Sequence, residues 1–177
     1  MGKILSPLIS SGGKAWAAQI YNPIVEECAK KYNLSIYIEG TGAGARNLSN
    51  MERGVFKKRI YNEWDYDYCC YFAMLSNLEE TQLLIRIIKY LIYNNEPKEL
   101  FELCKQVIES DEIKSLDRGL VAAVAFFRSF STFRANRKQF YEGILTKNIL
   151  KPRRYLKLLD YNKELQGITV TNTDCFN

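Results

Sequence analysis

Apolar residues recur along the chain at two different periods. After a loop-like stretch over residues 6–16, Ile24, Val25, Cys28, Ala29 and Tyr32 fall at helical spacing. Asn22-Pro23 ahead of them reads as an N-cap with proline at the first helical position, and the helix is expected to end near Asn33. The period then shortens to two. Residues 35–39 predict a strand that ends in the acidic Glu39. A run of small residues follows, Gly40-Thr41-Gly42-Ala43-Gly44-Ala45, with a short helix expected near 44–51. A second strand is predicted over 58–62, Lys-Arg-Ile-Tyr-Asn, leading into Glu63-Trp64-Asp65.

From Asp65 to about Gln166 the pattern is helical almost throughout. Tyr68, Phe72 and Leu75 share one helical face, and Leu83, Leu84, Ile87, Ile88, Leu91 and Ile92 keep a 3.6-residue period. Glu96-Pro97 restarts a helix carrying Leu100, Phe101, Cys104, Val107 and Ile108. Ser115 with Arg118-Gly119 opens another, apolar nearly all round from Leu120 to Phe127, which predicts a central position. Pro152 opens a helix with Tyr155, Leu156 and Leu159, Gly167 ends the block, and Ile168-Thr-Val-Thr reads as a third strand.

This order predicts an α/β protein: a partial Rossmann-like sheet of about three parallel strands with a large α-helical insertion. Residues 1–64 and 167–177 form the sheet region, and 65–166 the insertion. Doubly wound sheets usually carry five or six strands, and a bare parallel edge is a liability. A strand feeding a tight Gly-rich turn is how such folds present backbone N–H groups to a nucleotide-like ligand. Turns of this composition also occur with nothing bound, so a bare turn and a nucleotide cradle both remain open for Glu39 to Arg46.

Composition narrows the chemistry. At 177 residues, with 47% hydrophobic and 25% charged residues, the chain can bury a substantial core. Its longest apolar run, Leu120 to Phe127, is far short of a membrane span, and Met1 to Pro7 lacks the apolar core of a signal peptide. There is no histidine, which removes Ser-His-Asp and Cys-His nucleophile systems and histidine-ligated zinc. The five cysteines (28, 69, 70, 104 and 175) lack metal-ligand spacing and read as reduced thiols packed on helix faces. Between Arg128 and Lys163, ten Lys/Arg stand against only Glu142 and Asp160; that segment carries +8 of an overall +5, leaving −3 elsewhere. A basic segment within a mildly acidic body suggests a polyanion-facing surface, or else a solvated basic face.

Several of these segments together, in order, resemble the amino-terminal part of the Dam-like adenine-specific DNA methyltransferases, which use S-adenosylmethionine. Ser11-Gly12-Gly13-Lys14 resembles the family's first glycine loop. Glu39 and the Gly42–Gly44 turn are similar to the end of its first strand, with Gly40-Thr41 where the family has Pro-Phe. Asn62-Glu63 resembles the end of its second strand, and Asp174-Cys175-Phe176 that of its third, with one residue intervening. The resemblance implies a cofactor site of Gly12, Gly13, Lys14, Glu39, Thr41, Gly42, Gly44, Glu63, Asp174 and Phe176. Glu63 would accept from the ribose hydroxyls, and Asp174 from the adenine amine. The segment from Phe126 to Arg134 resembles the family's target-recognition insertion, which implies Arg128, Arg134, Arg137, Lys138, Lys151, Arg153 and Arg154 as DNA-facing residues.

The family's Asp-Pro-Pro-Tyr tetrapeptide, which holds the flipped target base, is absent: the four prolines (7, 23, 97 and 152) are isolated, and the sequence reaches Asn177 before the motif would begin. The resemblance therefore implies a truncated or fragmentary DNA adenine methyltransferase of the bacterial or phage-encoded cytoplasmic type, with no catalytic residues and no activity alone. Its expected partners are DNA and a second chain supplying the missing carboxy-terminal strands; no metal and no membrane are expected. A non-catalytic DNA- or partner-binding protein on the same scaffold, or half of a split enzyme, remain as alternatives.

Overall fold

Helix α1 (Ala15–Tyr32) turns Ala18, Asn22, Val25 and Ala29 toward the body, at the spacing of one helical face. It ends at Asn33, whose φ of 53° is left-handed, and the Leu34 N–H reaches back 2.9 Å to the Ala29 carbonyl. Lys30 and Lys31 in its last turn complement the helix dipole. These features belong to a computed structural model that describes residues 8, 15–40, 42–131 and 152–174.

The expected helix start at Asn22-Pro23 is not observed. The helix begins at least seven residues earlier, and Pro23 lies inside it. Asn22 is buried, and its Nδ2 donates to the Asn47 carbonyl at 2.9 Å. That tertiary bond and the small residues on the packed side hold the helix through a residue that removes one of its own hydrogen bonds. The helix expected near 44–51 contracts to a single 3-10 turn, Leu48–Asn50.

Strands β1 (Ile36–Glu39), β2 (Lys58–Asn62) and β3 (Thr169–Thr171) form a parallel sheet in the order β1-β2-β3, with β2 central. Ile38 pairs with Ile60 and Glu39 with Tyr61, while Ile60 pairs with Thr169 and Asn62 with Thr171. The chain is thus α/β with three parallel strands, as the periodicity predicts. Because side chains alternate along each strand, Tyr37, Tyr61 and Val170 share one face of the sheet. All three meet the main core, and Tyr61 packs on Phe72 with ring centroids 4.3 Å apart. On the other face Ile36 and Ile38 remain 54% and 60% exposed, although apolar strand residues ordinarily mark a covered surface.

Among the described residues the α-helices between β2 and β3 are α2 (Tyr66–Leu75), α3 (Leu78–Asn94), α4 (Pro97–Ile108), α5 (Arg118–Ser131), α6 (Pro152–Leu156) and α7 (Leu158–Leu165). Asn77 caps α3 by accepting from the Glu80 N–H at 3.1 Å. Glu96 and Glu99 form a capping box on α4, with Pro97 at its start. Helix α5 is the centre of the block: Val121 to Phe127 are all buried, as its all-round apolar pattern predicts. It packs on α2, α3 and α4. Each fully buried Val or Phe there contributes roughly 1.5–3 kcal/mol. One contiguous core runs from Leu48 and Tyr61 at the sheet to Val121 and Phe127 in α5.

Arg128, expected to face DNA, is turned inward. Its side chain is only 13% exposed and lies 3.1 Å from the Asp65 carboxylate and 3.3 Å from that of Asp67, which is itself 3% exposed. The guanidinium also lies over the Tyr68 ring. A half-turn of helix separates a phosphate-facing arginine from one that ties α5 to the start of α2, and a run of basic residues does not encode which applies.

Replacing Arg128 by Leu leaves the Asp67 carboxylate buried without its counter-charge. Unfolding by urea should show a loss of about 3 kcal/mol or more. Arg128→Leu combined with Asp67→Leu should recover part of that loss, because the pair is then removed together.

Candidate functional site

The carboxyl ends of the three strands converge on the Gly-rich turn, and one amide organises them. Asn62, 6% exposed at the end of β2, donates from Nδ2 to the Gly40 carbonyl at 3.0 Å and to the Thr173 carbonyl at 2.9 Å. Its Oδ1 accepts from Thr171 Oγ1 at 2.8 Å, Thr173 Oγ1 at 3.0 Å and the Thr173 N–H at 3.1 Å. The turn after β1 and the segment after β3 are therefore both fastened to β2. Just beyond, Asn172 donates to the carbonyls of Glu63 and Trp64 at 2.7 and 2.8 Å. Thr171 and Thr173 also carry roles in this arrangement that their places in the sequence do not reveal.

The turn itself folds back on β2. The Gly42 N–H donates to the Asn62 carbonyl at 2.8 Å, and the Ala45 N–H to the Gly42 carbonyl at 2.7 Å. A side chain at residue 42 would overlap the ring of Tyr61, so glycine is required there for close approach. The Tyr61 hydroxyl donates to the Ala43 carbonyl at 2.9 Å. The two left-handed positions of the turn are occupied by alanines, Ala43 (φ 41°) and Ala45 (φ 47°). Each costs the turn about 1–2 kcal/mol relative to a relaxed backbone. Tyr61 is the residue that motif spacing misses. Alternation along β2 places it on the helix-facing side, but only the register with β1 sets its ring against Gly42.

Two carboxylates serve the same turn. Glu63 Oε2 accepts from the Ala43 N–H at 2.5 Å, and its Oε1 from the Trp64 N–H at 2.8 Å. Glu39 Oε2 accepts from the Leu48 N–H at 2.9 Å and so fixes the 3-10 turn that follows. Burial pushes the Glu39 carboxyl up to about 7, opposed by the backbone donors at residues 47 and 48 and reinforced by the Glu63 charge. Cys69 adds a donor to this edge, its Sγ 3.2 Å from the Glu63 carbonyl, and burial pushes its thiol up to about 12. It is a protonated structural thiol at neutral pH.

The structure thus brings Glu39, Gly42, Gly44 and Glu63 into one turn at the carboxyl end of the sheet. Asp174 follows directly on Thr173, which Asn62 holds. Gly12, Gly13, Lys14, Thr41 and Phe176 lie outside the described residues, as do Arg134, Arg137, Lys138 and Lys151. Arg153 and Arg154 sit in α6, with the Arg154 charge acting on Tyr161. Chemically the edge offers two carboxylates able to accept from hydroxyl or amine donors, on amides already engaged inside the protein. Among the described residues no group of three or more His, Cys, Asp or Glu side chains is arranged to hold a metal ion. None of the described helices is long and apolar enough to cross a membrane. Comparison of the sequence with protein-family profiles and with curated proteins finds no match.

Two measurements probe the turn. Between pH 4.5 and about 7 the folded chain holds a proton on Glu39 that the unfolded chain releases, so stability falls as pH rises through that window. Glu39→Gln, which keeps an acceptor for the Leu48 N–H, should remove this slope from urea midpoints followed against pH. Ala43→Gly relieves the left-handed strain at a smaller cost in unfolded-chain entropy. It should raise stability by about 0.5–1 kcal/mol in thermal or urea unfolding.

Proposed function

We propose that the chain is the S-adenosylmethionine-binding part of a DNA adenine methyltransferase scaffold, without methyl-transfer activity by itself. One observation carries the reading: the glycine turn after β1 and the carboxylate of Glu63 after β2 meet at the carboxyl end of a parallel sheet, 2.5 Å apart at the Ala43 N–H. Crevices at strand carboxyl ends are where open α/β sheets take nucleotide-like ligands. A carboxylate there suits a ribose diol, and the acidic edge suits a ligand bearing sulfonium and ammonium charges. Glu63 Oε2 accepts only the Ala43 N–H among these backbone donors, while Oε1 accepts those of Trp64 and, at 3.4 Å, Asp65, so a diol would bind by sharing Oε2. Arg153 and Arg154 on α6, with the basic residues that precede them in sequence, are assigned to DNA phosphates. In this reading the Asp-Pro-Pro-Tyr is supplied by residues outside this sequence, on a strand that would pair with β1 on the side away from β2.

A second reading, a non-catalytic DNA- or partner-binding protein on this scaffold, is favoured by the closure of the turn. Tyr61 fills the space over Gly42, and the amides of Gly42, Ala43 and Ala45 already have acceptors.

Isothermal calorimetry with S-adenosylmethionine separates the two. The first reading expects saturable binding that weakens about tenfold or more in Glu63→Ala, as loss of hydrogen bonds to a charged acceptor implies. Absence of binding selects the second. In either case, incubation with methyl-labelled cofactor and adenine-containing duplex DNA should transfer no label. Robust incorporation by the chain alone would refute its assignment as inactive.

A further inference from the structure

The opposite end of the sheet holds a second, differently charged feature. A cleft of about 390 Å³ is lined by Arg53, Gly54, Phe56, Lys57, Arg59, Gln166 and Gly167. It lies where β2 and β3 begin, about 13 Å along β2 from Asn62 at the strand rise of 3.3 Å per residue. Gly54 (φ 84°) and Gly167 (φ 76°) are both left-handed, and their α-carbons face open space. Those two turns bend the loop before β2 and the loop before β3 around the opening.

The cleft is strongly basic. Among the described residues Arg53, Lys57 and Arg59 face one nearby carboxylate, Glu164 on α7, which lies 3.3 Å from Arg53. The local balance is therefore +2. Arg59 is the half-buried member: its Nη1 is shielded from solvent and makes no hydrogen bond among the described residues. Its Nη2 makes only a long 3.4 Å bond to the Gln166 carbonyl. Burial and the Arg53 charge both disfavour the Arg59 cation, and Glu164 only partly offsets them. A guanidinium that is desolvated, repelled by a second cation and short of acceptors is at its most favourable when an anion occupies the site.

We propose that this cleft binds the phosphate of a small phosphomonoester, held by Arg53, Lys57 and Arg59. A phosphate monoester dianion matches the +2 balance, whereas a backbone phosphodiester or a carboxylate carries a single charge. Its oxygens suit the fork of an arginine, and two arginines, Arg53 and Arg59, line the opening together with Lys57. The opening falls in the size range of small-molecule sites, which leaves room for the body of the ligand beside Phe56. This inference does not depend on the carboxyl-end reading, since no residue is shared between the two sites.

Inorganic phosphate, phenyl phosphate and a short DNA duplex, each titrated at constant ionic strength into the full chain, test it by calorimetry and by the shift in thermal midpoint. Phenyl phosphate should saturate and bind more tightly than inorganic phosphate. Arg59→Met should weaken it tenfold or more, and Lys57→Met, at an exposed position that leaves folding intact, several-fold. No saturable binding of either phosphate, or unchanged phenyl phosphate affinity in Lys57→Met and in a folded Arg59→Met, would overturn the site. Duplex binding that is tighter than phenyl phosphate and lost in Lys57→Met would overturn the monoester assignment. Because Glu63→Ala leaves this cleft intact, phosphate binding by that variant separates failure here from failure at the other end.

Discussion

The side-chain amide of Asn62 is the constraint on which the carboxyl end of the molecule depends. It is buried, and its two donors and its oxygen satisfy Gly40 from the first strand's turn and Thr171 and Thr173 from the third strand. A parallel sheet of three short strands has few ladder bonds to hold its ends in register, and here one residue of the central strand does it from the side chain. An apolar replacement would remove the bonds to two carbonyls and an N–H at this half-buried end, each worth about 0.5–1.5 kcal/mol. An aspartate would set a carboxylate against those same carbonyls. Once the ends are fixed, Gly42 must lie against Tyr61 and Ala43 must meet Glu63. The turn follows from the pin.

The two ends of the sheet have opposite electrostatic character. Glu39 and Glu63 crowd the carboxyl end closely enough that the charge on one raises the proton affinity of the other. Arg53 and Arg59 do the converse at the amino end. Like charges are held together at both, which costs stability in the empty protein and favours a ligand of opposite sign. The cost is offset by the main core, which is continuous from the sheet into the buried residues Val121 to Phe127 of α5.

Periodicity read the elements well where a single force decides them. β2 is observed over the predicted residues, α4 begins at the predicted proline, and α5 is central because it is apolar nearly all round from Leu120 to Phe127. The reading failed where a tertiary contact overrides a local signal. Asn22-Pro23 carries a helix-start signature, yet packing of Ala18 and the bond from Asn22 to Asn47 continue the helix through it. Arg128 lies in a basic segment, but its partners Asp65 and Asp67 are some sixty residues away in sequence. At the site, the motif order identified Glu39, Gly42 and Glu63 as neighbours. The ring that occupies the space between them belongs to Tyr61, an ordinary strand residue with no motif signature.

Among the described residues β1 has no strand on the side away from β2, and this edge bears on both functional readings through the same geometry. Ile36 and Ile38 are exposed on one face of the strand, and α1, which packs its small residues inward, also exposes Ile20, Tyr21 and Ile24. A helix apolar on two sides beside an edge strand with exposed isoleucines has the character of an internal layer. A parallel strand added beside β1 would run its carboxyl end up to Glu39 and the Gly-rich turn. Whatever residues it carried there would enter the candidate site directly. In this architecture a change at the free edge of β1 and a change at the Gly-rich turn are therefore coupled through the same strand end.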